Sequence, residues 1–437
     1  MLNNVITRFA PSPTGFLHIG GVRTALFSYL FAKKNNGKFA LRIEDTDKLR
    51  SKDEWTKSLI NDLEWLGLKH DILVIQSKRN DIHSKYIQKM IDNGHAYISK
   101  EKIIEEGQRD EVIRFKNPNK KVIINDLIRG DVTVDTTDLG DFIIARSTTE
   151  PLYHLAVVVD DYEMGITHVI RAEEHLSNTP RQILIQEAIG ATRPIYAHLP
   201  LVLAEDRSKL SKRKHGETVS LTYYKDRGYL PEAILNFVAM IGWNPGTDQE
   251  IFSLGELIDV FDLSKVQKGG AIFNVEKLDW FNKQYINKMS IEEFEKSAFE
   301  FTKTKINGKL ISLIKEKISK YSEIPDLLNG ELSFIDSADK YSKESLKWKS
   351  EPDLINTKQY LKLIIDIISN IENIDFNKDL IKSQLWPLAE KMGKGNILWP
   401  MRYALSGKDK SPDPFTISEI LGKDETIKRL RFAYELL

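Results

Sequence analysis

The sequence predicts an α/β protein: a doubly wound parallel sheet, split by an α+β insertion and followed by all-helical C-terminal domains. Three observations predict this fold. A strand, a helix and a second strand follow one another within residues 5–43, which is the spacing of a parallel βαβ unit. Short β-runs separated by turn residues replace this pattern between residues 99 and 152. Beyond residue 216, amphipathic helices dominate the chain.

Proline and turn residues mark the ends of the elements in the first βαβ unit. Residues 5–10 form an apolar-rich run that two prolines stop. Apolar residues then recur at helical spacing over 22–32, and the Asn-Asn-Gly sequence at 35–37 ends this helix. Residues 39–43 form a second apolar run. The unit therefore predicts two adjacent parallel strands joined by a helix.

The loop between the first strand and the helix carries the first candidate site. The sequence His-Ile-Gly-Gly at 18–21 stands where the helix begins, and its glycines let a ligand approach the backbone closely. Free N–H groups and the positive end of the helix dipole favour a phosphate, to which His18 can donate hydrogen bonds. The P-loop pattern does not fit, because Gly21-Val22 stand where Lys-Ser/Thr is required, and the GxGxxG pattern does not occur here. Taken alone, these residues could form an ordinary glycine turn with a packed histidine.

A basic run at residues 209–214, Lys-Leu-Ser-Lys-Arg-Lys, is the second candidate site. An isolated run of this kind is most often a solvated loop. Paired with His-Ile-Gly-Gly after a first strand, it resembles the HIGH and KMSKS signatures of the class I aminoacyl-tRNA synthetases. HIGG, KLSKR and the opening RFAPSPTG resemble the variants found in glutamyl-tRNA synthetases. The similarity covers essentially the whole chain and includes IEDTD at 43–47, YHLAVVVDD at 153–161, VIRAEEHLSNTP at 169–180 and the tail from Lys391.

The resemblance implies a domain order. A Rossmann-like catalytic domain would be split by a subdomain that binds the acceptor end of tRNA, and would be followed by a stem-contact domain and a two-part helical anticodon-binding domain. The expected ranges, in that order, are 1–98 with 153–215, then 99–152, 216–290, 291–390 and 391–437. Ligands of a doubly wound domain bind at the carboxyl ends of its strands.

Local patterns predict the remaining elements. In the catalytic domain these are helices at 48–70, 81–93 and 153–165, a helix that starts with Thr179 as N-cap and runs to 188, and strands at 72–76, 96–98, 166–170 and 200–204. The pattern of 153–165 alone is ambiguous between helix and strand. Further helices are expected at 221–226, 231–241, 309–320 and 356–370, with capping boxes at Ser253 and Ser290.

The resemblance also implies roles for individual residues. The expected catalytic residues are His18, Lys209 and Lys212. The expected ATP-binding residues are Pro11, Gly15, His18, Gly20, Gly21, Lys209, Ser211, Lys212 and Arg213. The expected glutamate-binding residues are Arg8, Ala10, Ser12, Glu44, Tyr153, Arg171 and His175, and Asp47 matches a position at the tRNA acceptor end.

The residue types suit this substrate. Glutamate presents two carboxylates and an ammonium group, so arginines would bind the carboxylates and Glu44 would balance the ammonium. The structural alternatives are a surface ion pair between Arg171 and Glu173 or Glu174, and a core role for Tyr153.

The implied reaction needs no protein nucleophile. The glutamate carboxylate attacks the α-phosphorus of ATP, which forms glutamyl-adenylate and releases pyrophosphate. A ribose hydroxyl of the terminal tRNA adenosine then takes the acyl group. No Ser-His-Asp or HExxH signature competes with this reading. Catalysis would rest on positioning and on charge stabilisation of the phosphates, chiefly by Lys212, and Mg2+ should accompany ATP.

Composition limits the partners. The chain has 437 residues, which fits two to four domains, and its 63 basic and 63 acidic residues leave no net charge. Any RNA site must therefore be a local basic face. With no cysteine, the cysteine-ligated zinc that some members of the resembled family carry is not expected, and no protein-bound metal is predicted. No signal peptide or membrane-spanning run is recognised, so a cytoplasmic location and, from the family, a monomer are the expectations.

Several alternatives stay open at this stage. A glutaminyl-tRNA synthetase has the same plan, but its first motif typically reads PEPNGYLHIGH instead of PSPTGFLHIGG. A short paralogue that glutamylates a tRNA base lacks the anticodon domain, whereas some 220 residues follow KLSKR here. A catalytically silent RNA-binding regulator is the alternative from another class. The sequence does not decide whether tRNA-Gln is charged as well as tRNA-Glu, which residues read the anticodon, or whether tRNA is needed for glutamate activation.

Overall fold

The computed structural model describes residues 5–101, 110–336 and 341–437. The chain divides into two compact units, Met1–Tyr285 and Ile286–Leu437. The boundary between them falls inside a helix, Val275–Lys288.

The first unit contains the sheets. Its strands are β1 (Ile6–Phe9), β2 (Lys38–Ile43), β3 (Ile72–Ile75), β4 (Ala96–Lys100), β5 (Glu111–Phe115), β6 (Lys121–Asp126), β7 (Gly130–Asp135), β8 (Phe142–Ser147), β9 (Glu150–Pro151), β10 (His168–Ala172), β11 (Ile195–Leu199), β12 (Val202–Leu203) and β13 (Ala271–Ile272). Its helices are α1 (Ile19–Lys34), α2 (Asp53–Trp65), α3 (Asn80–Asp92), α4 (Tyr153–Glu163), α5 (Thr179–Ile189), α6 (Lys212–His215), α7 (Leu221–Lys225), α8 (Pro231–Met240), α9 (Leu254–Val260) and α10 (Val275–Lys288).

Within the described residues, seven strands form the main sheet in the order β3-β2-β1-β10-β11-β6-β7. The pairings from β3 to β6 are parallel, and only β6 and β7 are antiparallel. Because β1 and β10 are neighbours in space but far apart in sequence, the chain reverses its winding direction between them. The predicted doubly wound α/β fold is thus confirmed.

Two close contacts explain the first βαβ unit. Helix α1 buries an apolar face that includes Val22, Leu26 and Leu30 against the sheet. Residue 37 lies directly beside the first strand, since a Cβ there would stand 2.1 Å from the carbonyl oxygen of Val5. Only glycine lets β2 begin at this point.

The inserted segment is more closely joined to the main sheet than the sequence suggested. Strands β4, β5, β8 and β9 form a four-stranded antiparallel sheet of their own. Strands β6 and β7 instead extend the main sheet, with Asp126 of β6 opposite Tyr196 of β11. The pairing of this hairpin with β11 was not predicted, and the inserted subdomain at 99–152, of which 102–109 lies outside the described residues, stays a prediction. Cross-strand pairing over such distances leaves no local trace in the sequence.

Several element boundaries also differ from the predictions. The last strand of the main sheet in chain order is β11, which was not predicted, and the expected strand at 200–204 is reduced to β12, which pairs with β13. Pro200 lacks an N–H and follows β11 directly, so the sheet strand ends there. Helix α2 is shorter than the expected 48–70, because the carbonyl of Asp47 accepts turn bonds from the two residues Arg50 and Ser51. The helical reading of α4 is confirmed.

The second unit is helical. It comprises α11 (Ile291–Thr302), α12 (Ile311–Lys317), α13 (Ile324–Asn329), α14 (Leu354–Ser369), α15 (Lys378–Met392), α16 (Lys394–Ser406), α17 (Pro414–Leu421) and α18 (Lys423–Leu436). The predicted capping boxes are present at Ser290, which starts α11, and at Ser253, which starts α9 in the first unit. In the parts of the chain that the structure describes, every helix is too short or too polar to cross a membrane.

Candidate functional site

The N-terminus of α1 is open toward the carboxyl edge of the sheet. His18 is its N-cap residue, and the ring Nδ1 accepts a hydrogen bond of 3.0 Å from the backbone N–H of Gly21. A neutral ring that accepts at Nδ1 carries its proton on Nε2, so a donor remains for a ligand. The first turn of α1 contains no acidic residue that would offset the helix dipole.

The surroundings keep His18 neutral. Loss of water around the ring lowers its pKa, Glu174 opposes this and Lys209 adds to it. A neutral histidine at a helix N-terminus can donate from Nε2 while its Nδ1 continues to cap the helix.

The two glycines after His18 are sterically required to different degrees. A Cβ on Gly21 would stand 2.9 Å from Cδ1 of Leu17, and a Cβ on Gly20 would stand 3.2 Å from Nδ1 of His18. A Cβ on Gly15, earlier in the same loop, would have no neighbour within 4 Å. Gly20 and Gly21 thus keep the first turn of α1 compact, whereas Gly15 leaves open space.

The basic loop lies next to this helix terminus. Leu221 donates a backbone hydrogen bond of 2.8 Å to the carbonyl of Leu17, and His18 and Ser220 form an isolated antiparallel bridge. Lys209 forms an ion pair with Glu174, which follows β10. The structure therefore brings together the two motifs, which lie about 190 residues apart in sequence.

The rest of the basic loop is solvent-facing where it is described. Ser211 donates its backbone N–H to Nδ1 of His215 at 3.2 Å, and Arg213 is exposed. Lys214 is held by Asp206 at 2.5 Å. The side chain of Lys212, the first residue of α6, lies outside the described part of the structure.

Arg8, Arg42, Glu44 and Asp161 form a buried cluster of charged side chains. Arg8 and Arg42 both contact Oδ1 of Asp161, through Nε at 3.2 Å and Nη1 at 2.6 Å. Arg42 also contacts Glu44, with 3.0 Å between Nη2 and Oε1. All four side chains are at least nine-tenths buried. Glu44, expected to balance an ammonium group, is thus already paired with an arginine.

Burial and pairing act on these groups in opposite directions. Burial raises the pKa of Glu44 despite the nearby guanidinium groups of Arg42 and Arg8. Burial alone would also raise the pKa of Asp161, but Arg8 and Arg42 outweigh it and hold that pKa below its usual range. Asp161 is therefore the anion that anchors the cluster.

Arg171, on β10, is buried among neutral partners. Its Nε lies 3.2 Å from Nε2 of His198, and its Nη2 lies 2.7 Å from Oγ1 of Thr179. Among the described residues, no carboxylate pairs with Arg171, so the surface ion pair considered from the sequence is wrong. Thr179 is the first helical residue of α5, and Asn178 precedes it as N-cap. The expected capping role of Thr179 is therefore also wrong.

Two other residues expected in the glutamate pocket, Tyr153 and His175, contact each other. The hydroxyl of Tyr153 lies 3.2 Å from Nδ1 of His175. Burial, with Arg171 adding to it, lowers the pKa of His175 to about 4. Burial raises the pKa of Tyr153, which also senses the charges of Glu44, Arg171 and Arg8. These mutual electrostatic effects place both rings beside the arginines, so both groups are neutral at pH 7.

Four further expected residues follow β1 or β2 in the chain. Ala10 and Ser12 follow β1, with Ser12 exposed, and the carbonyl of Pro11 accepts the backbone N–H of Glu44 at 3.0 Å. Asp47 makes only local contacts among those described, to Arg50 at 2.6 Å and to backbone N–H groups of the same turn.

Sequence reasoning missed the residues that hold the pocket. Asp161 contacts Arg8 and is itself contacted by Arg42, while His198 and Thr179 hold Arg171. One signal was available, because Asp160 and Asp161 interrupt an otherwise apolar helix face. No local signal marked His198, whose strand was not recognised.

The described residues contain no group of three or more histidine, aspartate or glutamate side chains that could hold a metal ion.

The fold and the candidate site together define a class: doubly wound α/β proteins, whose ligands bind at the carboxyl edge of the parallel sheet. Comparison with known proteins narrows this class. The family model described as tRNA synthetases class I (E and Q), catalytic domain, matches residues 4–106 and 99–280, and a model described as anticodon binding domain matches 273–434. The chain therefore belongs to the class I tRNA synthetases of the E and Q type.

Individual relatives agree over the full length. The chain is 40% identical to Glutamate--tRNA ligase 2 of Caldicellulosiruptor saccharolyticus over 98% of both chains, and 39% identical to Glutamate--tRNA ligase of Aquifex aeolicus over 100% of both. It superposes with a TM-score of 0.86 on the crystal structure of a glutamate tRNA ligase from Elizabethkingia meningosepticum in complex with its amino acid, at 34% identity and 99% coverage of both chains.

Proposed function

We propose that this protein ligates L-glutamate to tRNA-Glu at the expense of ATP, through a glutamyl-adenylate intermediate. One observation carries the proposal. The buried side chains of Arg8, Arg171 and Glu44 lie at the carboxyl ends of β1, β10 and β2. The charge of Lys209 in the basic loop acts on His18 at the N-terminus of α1. A site for a small dicarboxylate would then lie next to a site for phosphates.

The charge balance of the pocket suits glutamate. Three guanidinium groups, those of Arg8, Arg42 and Arg171, lie among two carboxylates, those of Asp161 and Glu44. The excess of one positive charge offsets the net negative charge of free glutamate. Arg171 would bind one carboxylate, since no acidic partner occupies it, and Glu44 would balance the ammonium group. Ala10, Ser12, Tyr153 and His175 would complete the pocket.

The triphosphate would lie between the two motifs. His18 would donate from Nε2, and the backbone at Pro11, Gly15, Gly20 and Gly21 would leave room for phosphate oxygens. Across from them, Lys209, Ser211, Lys212 and Arg213 would close over the phosphates. Lys209 is held by Glu174 in the structure and would exchange that partner for a phosphate.

Magnesium would be bound mainly by phosphate oxygens and water, because the described residues form no acidic cluster that could hold the ion. Bound Mg2+ would neutralise phosphate charge. Asp47, at the end of the turn after β2, is proposed to contact the tRNA acceptor end, and the chain is proposed to act as a monomer.

The chemical steps follow from this arrangement. Arg171 and Arg8 orient glutamate so that its α-carboxylate oxygen attacks the α-phosphorus and pyrophosphate leaves. His18, Lys209 and Lys212 stabilise the charge that develops on the phosphates. In the second step, a ribose hydroxyl of the terminal adenosine attacks the acyl carbon, a proton is lost from that hydroxyl, and AMP leaves.

The test is charging of purified tRNA-Glu and tRNA-Gln with labelled glutamate, with glutamine as the control amino acid. Glutamate on tRNA-Glu alone supports the proposal in its narrow form. Glutamate on both tRNAs supports a non-discriminating enzyme. If neither tRNA is charged although the folded protein binds ATP and tRNA, the proposal fails and a regulatory RNA-binding role takes its place.

A further inference from the structure

A buried chain of hydrogen bonds runs from the inserted hairpin to the proposed pocket. Asp126 ends β6, and its Oδ2 lies 2.6 Å from Nδ1 of His198 on the neighbouring strand β11. Nε2 of the same ring lies 3.2 Å from Nε of Arg171, the residue opposite it on β10. Asp126, His198 and Arg171 are each no more than 6% exposed.

The two ends of this chain require the same histidine tautomer. The Asp126 carboxylate can only accept at its usual charge, so Nδ1 of His198 must donate. The Nε–H of Arg171 can only donate, so Nε2 of His198 must accept. His198 is therefore neutral and carries its proton on Nδ1. Burial lowers the pKa of His198, which agrees with this state, although the hydrogen bond to Asp126 opposes it.

The carboxylate of Asp126 is held in turn by three backbone N–H groups. Its Oδ1 accepts from the N–H groups of Ile128 and Arg129 at 2.9 Å and 2.8 Å, and its Oδ2 accepts from the N–H of His198. Burial alone would raise the pKa of this carboxyl, but the hydrogen bond from the His198 side chain and those from the N–H groups of Arg129 and Ile128 outweigh it and lower the pKa. The carboxylate therefore stays charged and fixed.

This arrangement differs from the one that holds Arg8. A carboxylate in direct contact with Arg8 neutralises much of its charge. Arg171 instead meets an imidazole, a hydroxyl and a carbonyl, which orient the guanidinium group without cancelling its charge. Thr179 also contacts Nε2 of His198 at 3.1 Å, so the same ring orients both of these groups.

We infer that Asp126 and His198 are positioning residues that orient Arg171 for one carboxylate of the amino-acid substrate while leaving its charge free. The inference rests on the proposed function, since it assigns a partner to Arg171. It also gives the inserted hairpin a part in the amino-acid site, in addition to the tRNA contacts expected of the insertion.

The first test measures glutamate-dependent kinetics of three variants. His198→Leu removes the acceptor of Arg171, and the KM for glutamate should rise about 10- to 100-fold, with a much smaller change in the KM for ATP. His198→Gln offers a replacement acceptor and should restore part of the loss. Asp126→Asn should act like His198→Leu, because an amide donor facing Nδ1 would move the ring proton to Nε2.

The matched control is His83→Gln. His83 is also fully buried and contacts an aspartate, with 3.0 Å between its Nε2 and Oδ1 of Asp160, but it makes no described contact with Arg171. It should leave the KM for glutamate unchanged. A rise of that KM in His83→Gln as large as the rise in His198→Leu would overturn the inference, as would a His198→Leu protein that folds and keeps the wild-type KM.

The second test does not depend on activity. Nitrogen NMR of histidine-labelled wild-type protein at pH 7, with His198 assigned from the missing signals of His198→Gln, should show a neutral ring protonated on Nδ1. A neutral ring protonated on Nε2, or a doubly protonated ring, would overturn the inference. Failure of the wild-type protein to charge any tRNA, with the Nδ1 tautomer present, would instead refute the proposed function.

Discussion

At the scale of single residues, the two arginines of the proposed pocket, Arg8 and Arg171, are held in place in different ways. Arg8 is fixed by an ionic contact with Asp161, whereas Arg171 is fixed by neutral groups. A buried arginine without a carboxylate partner is energetically unfavourable, because desolvation of its charge is not compensated. An anionic substrate would supply that compensation on binding.

Asp161→Asn should destabilise the first unit strongly. The substitution leaves Arg8 without its carboxylate partner in a buried position, which costs about 3–5 kcal/mol. Hydrogen exchange of the amides of β1 and β2 should accelerate accordingly. Asp138→Asn, at an exposed aspartate, is the control and should leave these amides unaffected. Equal protection in both variants would show that Asp161 does not anchor the cluster.

The same carboxylate should make stability depend on acid pH. The pKa of Asp161 is lowered in the folded protein, so the unfolded chain takes up the proton first as pH falls. The stabilisation is fully present above the unfolded pKa of about 4 and is lost as pH falls through the folded pKa. Protection of β1 should therefore decrease below pH ~4 in wild type and vary less in Asp161→Asn. A parallel decrease in both proteins would contradict the assignment.

Lys212→Ala should lower turnover far more than it weakens glutamate binding. A cation that acts on the phosphates mainly in the transition state contributes to kcat, and losing one such group costs about 10²-fold or more. Single-turnover adenylate formation and glutamate affinity are the two measurements. Lys214→Ala is the control, because Asp206 holds this neighbouring lysine. Unchanged turnover in Lys212→Ala would rule out its role.

At the scale of elements, the N-terminus of α1 combines three devices. His18 caps it, two glycines keep its first turn compact, and the segment 217–221 packs along the loop that precedes it. His18 already accepts from the N–H of Gly21, so a ligand would meet the N–H groups of Ile19 and Gly20. The helix dipole favours an anion at this end, and the stability of the helix depends on contacts elsewhere along its apolar face.

Gly21→Ala should impair ATP use selectively. The added methyl group would stand 2.9 Å from Cδ1 of Leu17, so that buried side chain must move, at a cost of about 1–3 kcal/mol. The KM for ATP should rise about 10-fold, with glutamate affinity retained. Gly255→Ala is the matched control, since its new methyl group would approach only Ser253, at 3.9 Å. A normal KM for ATP in Gly21→Ala would show that this turn does not contact the nucleotide.

At the scale of the whole molecule, zero net charge and tRNA binding are compatible only if the basic residues that contact RNA are grouped. Binding of tRNA should weaken as salt rises, with a log–log slope of roughly −0.7 to −0.9 per neutralised phosphate. Titrations at several salt concentrations measure this slope, with glutamate affinity as the internal control. A tRNA affinity independent of salt would contradict phosphate recognition by a basic face.

Much of the architecture was accessible from local patterns. The βαβ unit, helix α4 and the capping boxes at Ser253 and Ser290 depend on residues close in sequence, and these predictions are confirmed. Strand β11 was missed, and so was its pairing with the hairpin of β6 and β7. Both omissions concern pairing between distant strands, which depends on loop paths and packing that no short window contains.

The sequence by itself determined the type of chemistry: a phosphate-binding helix terminus, a basic loop and arginines suited to a dicarboxylate. Tertiary structure alone decided which groups hold those arginines. Asp161 reaches Arg8 across 153 positions of sequence, and Asp126 reaches His198 across 72. Residue type sets what a side chain can donate, accept or carry as charge, whereas its partner and protonation state depend on which distant strands become neighbours in the sheet.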